Sequence, residues 1–171
     1  RQNIYNNLIY NNGTGGEYSG YGLYILDPDG TSQADETNRR IFKNNIVYAS
    51  ASDDVFVAEG AYWTNEYNSF NTPPNVTITN TDFAALPATR AAGIALLSSP
   101  RQADGSLPSL GDYFRLAAGS DAVDAGTDVG LPYNGSAPDL GPFEFISEAS
   151  KPAYIIGSAV VIGGMYVFIT N

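Results

Sequence analysis

The chain contains no histidine and no cysteine. The first absence removes Ser–His and Cys–His nucleophile pairs and every imidazole metal ligand. The second removes disulfides, thiol nucleophiles, zinc–thiolate sites and iron–sulfur clusters. Positive charge is scarce too: Lys+Arg is 8 against 18 Asp+Glu, a net charge of −10. Such a surface has no general attraction for a phosphate backbone, which argues against nucleic acid as a partner. Carboxylates, hydroxyls, tyrosines, arginines and the two lysines Lys43 and Lys151 remain for chemistry. Any bound metal is expected to be a hard, oxygen-ligated ion such as calcium. A charged-then-apolar leader is also lacking, and the chain opens on Arg1. It reads as a processed or excised piece of something longer.

What is present suits folded chain. With 171 residues there is room for one domain and a sizeable core. At 43% hydrophobic and 12% aromatic, the composition argues against wholesale disorder.

Three segments look alike. Residues 4–12 (IYNNLIYNN) and 41–48 (IFKNNIVY) each flank an asparagine corner with short apolar pieces. Residues 66–71 (EYNSFN) repeat the pattern more weakly. If Asn7, Asn45 and Asn68 are equivalent, the spacings are 38 and 23 residues. The shorter is about one turn of a parallel β-helix, since repeats of about 20–45 residues mark solenoids. The longer is one turn plus an inserted loop, expected at residues 27–40. Asparagine tolerates left-handed backbone and can bond its own main chain or the next asparagine in a stack. Further strand candidates are 21–26, 55–58, 76–79 and 94–97. No window shows convincing helical periodicity; 84–98 comes nearest, interrupted by Pro87 and Gly93.

The expected organisation is β-helix coils over 1–97, an irregular cap over 98–145 and a strand-rich tail over 146–171. The cap region is dense in Pro, Gly, Asp and Ser and must lie on something else to be ordered. It could run along the outside of a solenoid and cover its open end. The tail is almost wholly apolar. A hairpin turning at Gly163-Gly164 is favoured over a membrane span or anchor flanked by Lys151. It also reads as the start of a further small β-domain. Residue 1 falls inside a coil, so the first face is bare strand edge, to be covered by preceding coils or by another chain.

Residues 100–108 (PRQADGSLP), 114–126 (FRLAAGSDAVDAG) and 135–144 (GSAPDLGPFE) follow one another in a set order, after 68–71 and 81–83. Together they resemble the C-terminal part of secreted right-handed parallel β-helix proteins, the pectate lyases of polysaccharide lyase family 9. The resemblance implies an all-β chain, a secreted or cell-surface location and an acidic polysaccharide such as pectate as partner. It implies cleavage by β-elimination, with a lysine base and a calcium ion held by aspartates. The family's Gly-Phe-Lys-Leu-Gly-Gly-like segment and its aspartate cluster are not found here, so the catalytic residues are expected outside this chain. A non-catalytic carbohydrate-binding or adhesive β-helix is the alternative, and a piece that only stacks on a partner chain is a third.

Candidate residues are therefore few. Lys43 shares only Phe-Lys with the lysine segment and reads first as a solvated side chain. Asp53 and Asp54 are metal candidates, though neighbours on a strand point to opposite faces, so only one can join a given site. Asp27 and Asp29 suggest a turn before a calcium loop. Asp124, Asp128 and Asp139 suit corners and caps. Tyr62 and Trp63, between Gly60 and Asn65, look loop-like and are the rings expected to face a sugar. Tyr21, Tyr24 and Tyr67 could also meet sugars, but stacking along the solenoid is favoured. Asn80-Thr81-Asp82 follows Asp53-Asp54, the reverse of the polygalacturonase order, and there is no histidine. Inverting hydrolysis by that constellation is rejected.

Overall fold

The computed structural model describes residues 2–12, 20–25, 40–51, 55–57, 63–71, 76–106, 108–147, 155–156, 159–162 and 165–168. Seven short strands wind as successive turns. β1 (Gln2–Tyr5), β2 (Leu8–Tyr10) and β3 (Leu23–Ile25) form the first turn. β4 (Arg40–Lys43), β5 (Ile46–Tyr48) and β6 (Val55–Val57) form the second, and β7 (Trp63–Glu66) opens the third. Each strand pairs in parallel with its counterpart one turn away, giving sheets β1–β4–β7, β2–β5 and β3–β6. This is the all-β parallel β-helix that the asparagine spacing predicts.

The corners show why asparagine recurs. Asn6, Asn44 and Tyr67 are left-handed, at φ 53°, 57° and 55°. Each stands just before a ladder asparagine. Asn7 Nδ2 donates to Asn45 Oδ1 at 2.9 Å, and Asn45 Nδ2 donates to Asn68 Oδ1 at 2.8 Å. Asn45 Nδ2 also reaches Ile4 O at 2.8 Å, and Asn68 Nδ2 reaches Phe42 O at 2.8 Å. In the Asn-Asn pairs the first residue makes the bend and the second stitches coil to coil. Asn45 and Asn68 are buried with every polar group engaged, as burial demands.

The inserted chain is divided. Leu8 lies opposite Ile46, an offset of 38, and Leu23 lies opposite Val55, an offset of 32. Arg40 lies opposite Trp63, an offset of 23. Six of the extra residues thus fall within 11–22 and nine within 26–39, where the sequence suggested the second stretch alone. A Gly- and Asn-rich stretch and a charged stretch are both compatible with loop, so composition did not apportion them.

Residues 76–145 lie against one side of the coils. Ile46 of β5 is buried in a cluster with Val76, Phe83, Leu116, Ala122 and Leu140. Leu8 and Tyr48 pack against the same cluster. Rings of successive turns stack: Tyr10 on Tyr48, then Tyr48 on Phe83. The layer begins at Val76, before the change of composition at 98. Bridges Phe83–Leu116 and Ala85–Tyr113 tie its two halves. Residues 76–79 form no strand, and 94–97 belong to a helix rather than to the expected strand. That helix, α1 (Arg90–Leu97), starts because Thr89 Oγ1 caps Ala92 N at 3.1 Å. Pro87 lies before it and interrupts nothing, and a Cβ at Gly93 would only touch Pro87.

The tail strands β8 (Ile155–Ile156), β9 (Ala159–Ile162) and β10 (Met165–Phe168) make a separate antiparallel sheet. Met165 lies opposite Ile162, where the sequence places a hairpin. Among the described residues no helix is long and apolar enough to cross a membrane.

Candidate functional site

Lys43 ends β4, in register with Tyr5 of β1 and Glu66 of β7. Its Nζ lies 2.8 Å from Glu66 Oε2, with both side chains partly exposed. A proton-abstracting lysine must be neutral and reach its substrate. This amine is occupied by a carboxylate of the next coil and would have to leave it first. Trp63 is not in a loop. It opens β7, half-buried, with its ring stacked on Phe70 and set edge-on to Phe42. The Gly60 and Asn65 flanks suggested an exposed ring; the strand register places it in the coil's aromatic stack instead. Tyr24 likewise stacks on Phe56, and Tyr21 packs against both at a tilt. Tyr62, Asp53, Asp54, Asp27 and Asp29 lie outside the described residues.

The cap carries a network that sequence reasoning reached only as corner roles. Asp139, 1% exposed, accepts Asp124 N at 2.8 Å on one oxygen and Phe145 N on the other. Asp124 Oδ1 accepts Ser136 N and Ala137 N at 2.9 and 3.1 Å. Glu144 accepts Asn134 N and Asp139 N at 3.2 and 3.3 Å. Three carboxylates so tie the segments around 124, 135 and 144 through main-chain donors. Gly135, at φ 90°, leaves room: a Cβ there would meet Asp124 Oδ1 at 2.2 Å. Burial pushes the Asp139 carboxyl above its ordinary value, helped by the charge of Asp124 and opposed by its two amide donors. Burial pushes Glu144 up in the same way, with Asp139 and Asp124 adding repulsion. The amides of Ala137 and Ser136 hold Asp124 down.

A second clasp joins the 3-10 turn Asn80–Asp82 to the cap. Asp82 accepts Ser120 Oγ at 2.7 Å, Thr79 N at 2.8 Å and Thr79 Oγ1 at 2.9 Å. Burial works against its charge, but these donors prevail and hold the carboxyl below its ordinary value. Asn-Thr-Asp is thus a capping device here. A third clasp is Asn44, fully buried, whose amide exchanges two hydrogen bonds with the main chain of Thr127.

The carboxylates Asp124 and Asp139 border an open cleft of about 460 Å³. Both Asp139 oxygens and Asp124 Oδ1 are taken up by amide donors, however, and a calcium cradle needs several free ones. Among the described residues no group of three acidic side chains could hold a metal ion. The calcium implied by the resemblance therefore has no fit among these residues, and none of them makes an acid–base pair poised for chemistry. What the geometry builds is a layer clasped by hydrogen bonds to one side of the coils.

No family model matches the chain. Two curated relatives do. The chain is 34% identical over 142 residues to pectate lyase L of Dickeya dadantii (strain 3937) and 32% identical over 142 residues to pectate lyase L of Dickeya chrysanthemi. Each match covers 82% of this chain and 27% of the relative, so the chain spans about a quarter of the length of these proteins. Among solved structures, pectate lyase Pel9A superposes with a TM-score of 0.54 at 29% identity, over 83% of this chain and 29% of that one. The fold is therefore a parallel β-helix. More narrowly, this is a pectate-lyase-like β-helix that resembles the family 9 enzymes.

Proposed function

We propose that this chain is the C-terminal portion of a secreted enzyme that cleaves uronate polymers such as pectate by β-elimination. The similarity to pectate lyase L over 142 residues carries this reading. A feature of the ladder supports the position. Asn68 ends it: its main-chain N donates to Asn71 Oδ1 at 3.2 Å and its Nδ2 to Asn65 Oδ1 at 2.7 Å, in place of an asparagine one turn on. The ladder is closed at this end and the cap seals the side. The chain's own contribution is then mechanical: it terminates the solenoid and fixes the last coils. The base and any calcium ligands belong to other coils of the protein.

The test is absorbance of unsaturated uronides released from polygalacturonate, with and without calcium, by the protein extended with its upstream coils. Product that depends on calcium is expected. No product on any uronate polymer sinks the enzyme reading. One other reading is a carbohydrate-binding or adhesive β-helix. Retention of pectate without product would establish that reading instead.

A further inference from the structure

The chain holds two Asn-Gly pairs, Asn12-Gly13 and Asn134-Gly135. Asparagine is among the thermolabile residues. Its weak point is the main-chain nitrogen that follows it, which can attack the side-chain amide carbon. A side chain on the following residue hinders that attack, and glycine has none. The two pairs are equal as sequence, and the structure separates them.

Asn12 is restrained. Its Nδ2 donates to Tyr21 O at 2.9 Å and to Gly22 O at 3.3 Å, so its amide is engaged with the main chain just ahead of β3. Asn134 is exposed, and among the described residues its side chain has no hydrogen-bond partner. The peptide link behind it is bare as well. Asn134 N donates to Glu144 Oε2 at 3.2 Å and Ser136 N to Asp124 Oδ1 at 2.9 Å, but among the described residues Gly135 N between them has no acceptor. Nucleophile and target are thus neighbours in an exposed link that the clasps bracket without covering.

The fold cannot protect this link by changing residue 135. Gly135 stands at φ 90°, and a Cβ there would collide with Asp124 Oδ1. The Asp124 clasp therefore demands glycine, and glycine leaves its nitrogen open to react.

We propose that Asn134 is a site of spontaneous deamidation, and that its isoaspartate product unfastens the Asp124 clasp. Gly135 N gives up its proton to hydroxide and bonds to Asn134 Cγ. The Cγ–Nδ2 bond breaks, and the nitrogen leaves as ammonia with a proton from water. Water then opens the succinimide ring. Attack at Cγ leaves an aspartate in an ordinary chain. Attack at the main-chain carbonyl of residue 134 leaves isoaspartate, in which the chain runs through Cβ and Cγ. The net change is water in and ammonia out. Either product adds a carboxylate to the cleft already bordered by Asp124 and Asp139. Isoaspartate also lengthens the main chain by one carbon just before Ser136 and Ala137, whose amides Asp124 Oδ1 accepts. The reaction needs no substrate, so it holds whether or not the protein cleaves uronate polymers.

The test is peptide mapping of the chain held at mildly alkaline pH, folded and in urea. The tryptic fragment beginning at Leu116 carries Asn134, and the one beginning at Gln2 carries Asn12. Deamidation is read as the mass gained when NH2 is exchanged for OH, and isoaspartate by its resistance to an aspartate-specific protease. In the folded chain Asn134 is expected to convert about fivefold or more faster than Asn12, the weight of one net hydrogen bond. In urea the two rates are expected to converge. In chains with isoaspartate at 134, hydrogen exchange at Ser136 and Ala137 is expected to speed up about tenfold or more, because they lose their acceptor. Asn134→Gln, whose longer side chain closes a less favourable ring, is expected to remove both the product and the gain in exchange. A folded chain without product at Asn134, after the unfolded chain has converted, overturns the proposal. So does Asn12 keeping pace in the folded chain, unchanged exchange in the isoaspartate form, or a gain in exchange that Asn134→Gln retains.

Discussion

Asn44 Oδ1 accepts the amide of Thr127 at 2.9 Å, and Asn44 Nδ2 donates to Thr127 O at 2.8 Å, across 83 residues of sequence. The same residue makes the left-handed bend of the second coil. One side chain therefore couples the winding of the solenoid to the docking of its cap. Gly126 permits the approach: a Cβ there would lie 2.7 Å from Pro138 O and 2.9 Å from the Asn44 side chain. Asn44→Gly keeps the bend and deletes the two bonds. It should cost about 2–3 kcal/mol, two buried hydrogen bonds and an orphaned amide. Gly126→Ala should cost a similar amount by steric push alone. Urea unfolding checks both, and the double variant should be less than additive because the residues touch.

Much of the fold was legible because the asparagine corners do two jobs that few residues do. The spacings of Asn7, Asn45 and Asn68 are the register of the sheets β1–β4–β7 and β2–β5, and the hydrogen bonds between them follow. Trp63 was misplaced because glycine and asparagine near a ring suggest a loop, whereas the register is fixed by the coil before it. α1 was missed because Thr89, a capping residue, lies between Pro87 and a run of only eight residues. A corner or cap role was legible for Asp139, but the partners of Asp82 and Asp139 were not. Their partners are main-chain amides of distant segments, and no pattern of side chains announces those.

Tyr67 occupies the bend position that asparagine holds in the two turns above, at φ 55°. A tyrosine has no local hydrogen bond to offset the left-handed strain, which is about 1 kcal/mol. Its side chain is 43% exposed, so little packing is lost on replacement. Tyr67→Asn should stabilise the protein by about 0.5–1 kcal/mol. A rise in the urea midpoint without a change of slope is the expected reading. A fall would mean that the ring contributes contacts outweighing the strain.

The carboxylate clasps predict a stability maximum on the acid side. Asp139 and Glu144 have raised values in the folded state, against ordinary values of 3.8 and 4.5. Their contribution is complete when they are protonated and is lost as pH rises through the raised folded values. Asp82 is depressed below its ordinary 3.8, so its contribution is present above that value and is lost as pH falls through the folded one. Stability should therefore rise on moving from neutral pH toward the ordinary carboxylate range and drop below it. Glu144→Gln should flatten the rise. Asp82→Asn should flatten the drop. Asp139→Asn should lower stability where Asp139 is ionised by about 1–3 kcal/mol, since an amide can accept from only one of the two main-chain donors. Midpoints of chemical denaturation across pH measure all three.

The pair Lys43–Glu66 decides between a structural and a chemical lysine. It lies on the outer row Tyr5–Lys43–Glu66, bridges two coils and is partly exposed. A pair of that kind is worth about 0–1 kcal/mol. Lys43→Ala should therefore shift the urea midpoint slightly, and less at high salt, where exposed charges are screened. In the protein extended with its upstream coils, the same variant should keep uronide release within about twofold of the parent. A base removed from a β-elimination should instead lower release by about a hundredfold or more, the scale of general-base catalysis. Glu66→Gln separates the two further. A structural lysine loses only its partner, whereas a lysine restrained by Glu66 would become more active when released. Unchanged release in both variants places the proton abstraction elsewhere in the solenoid.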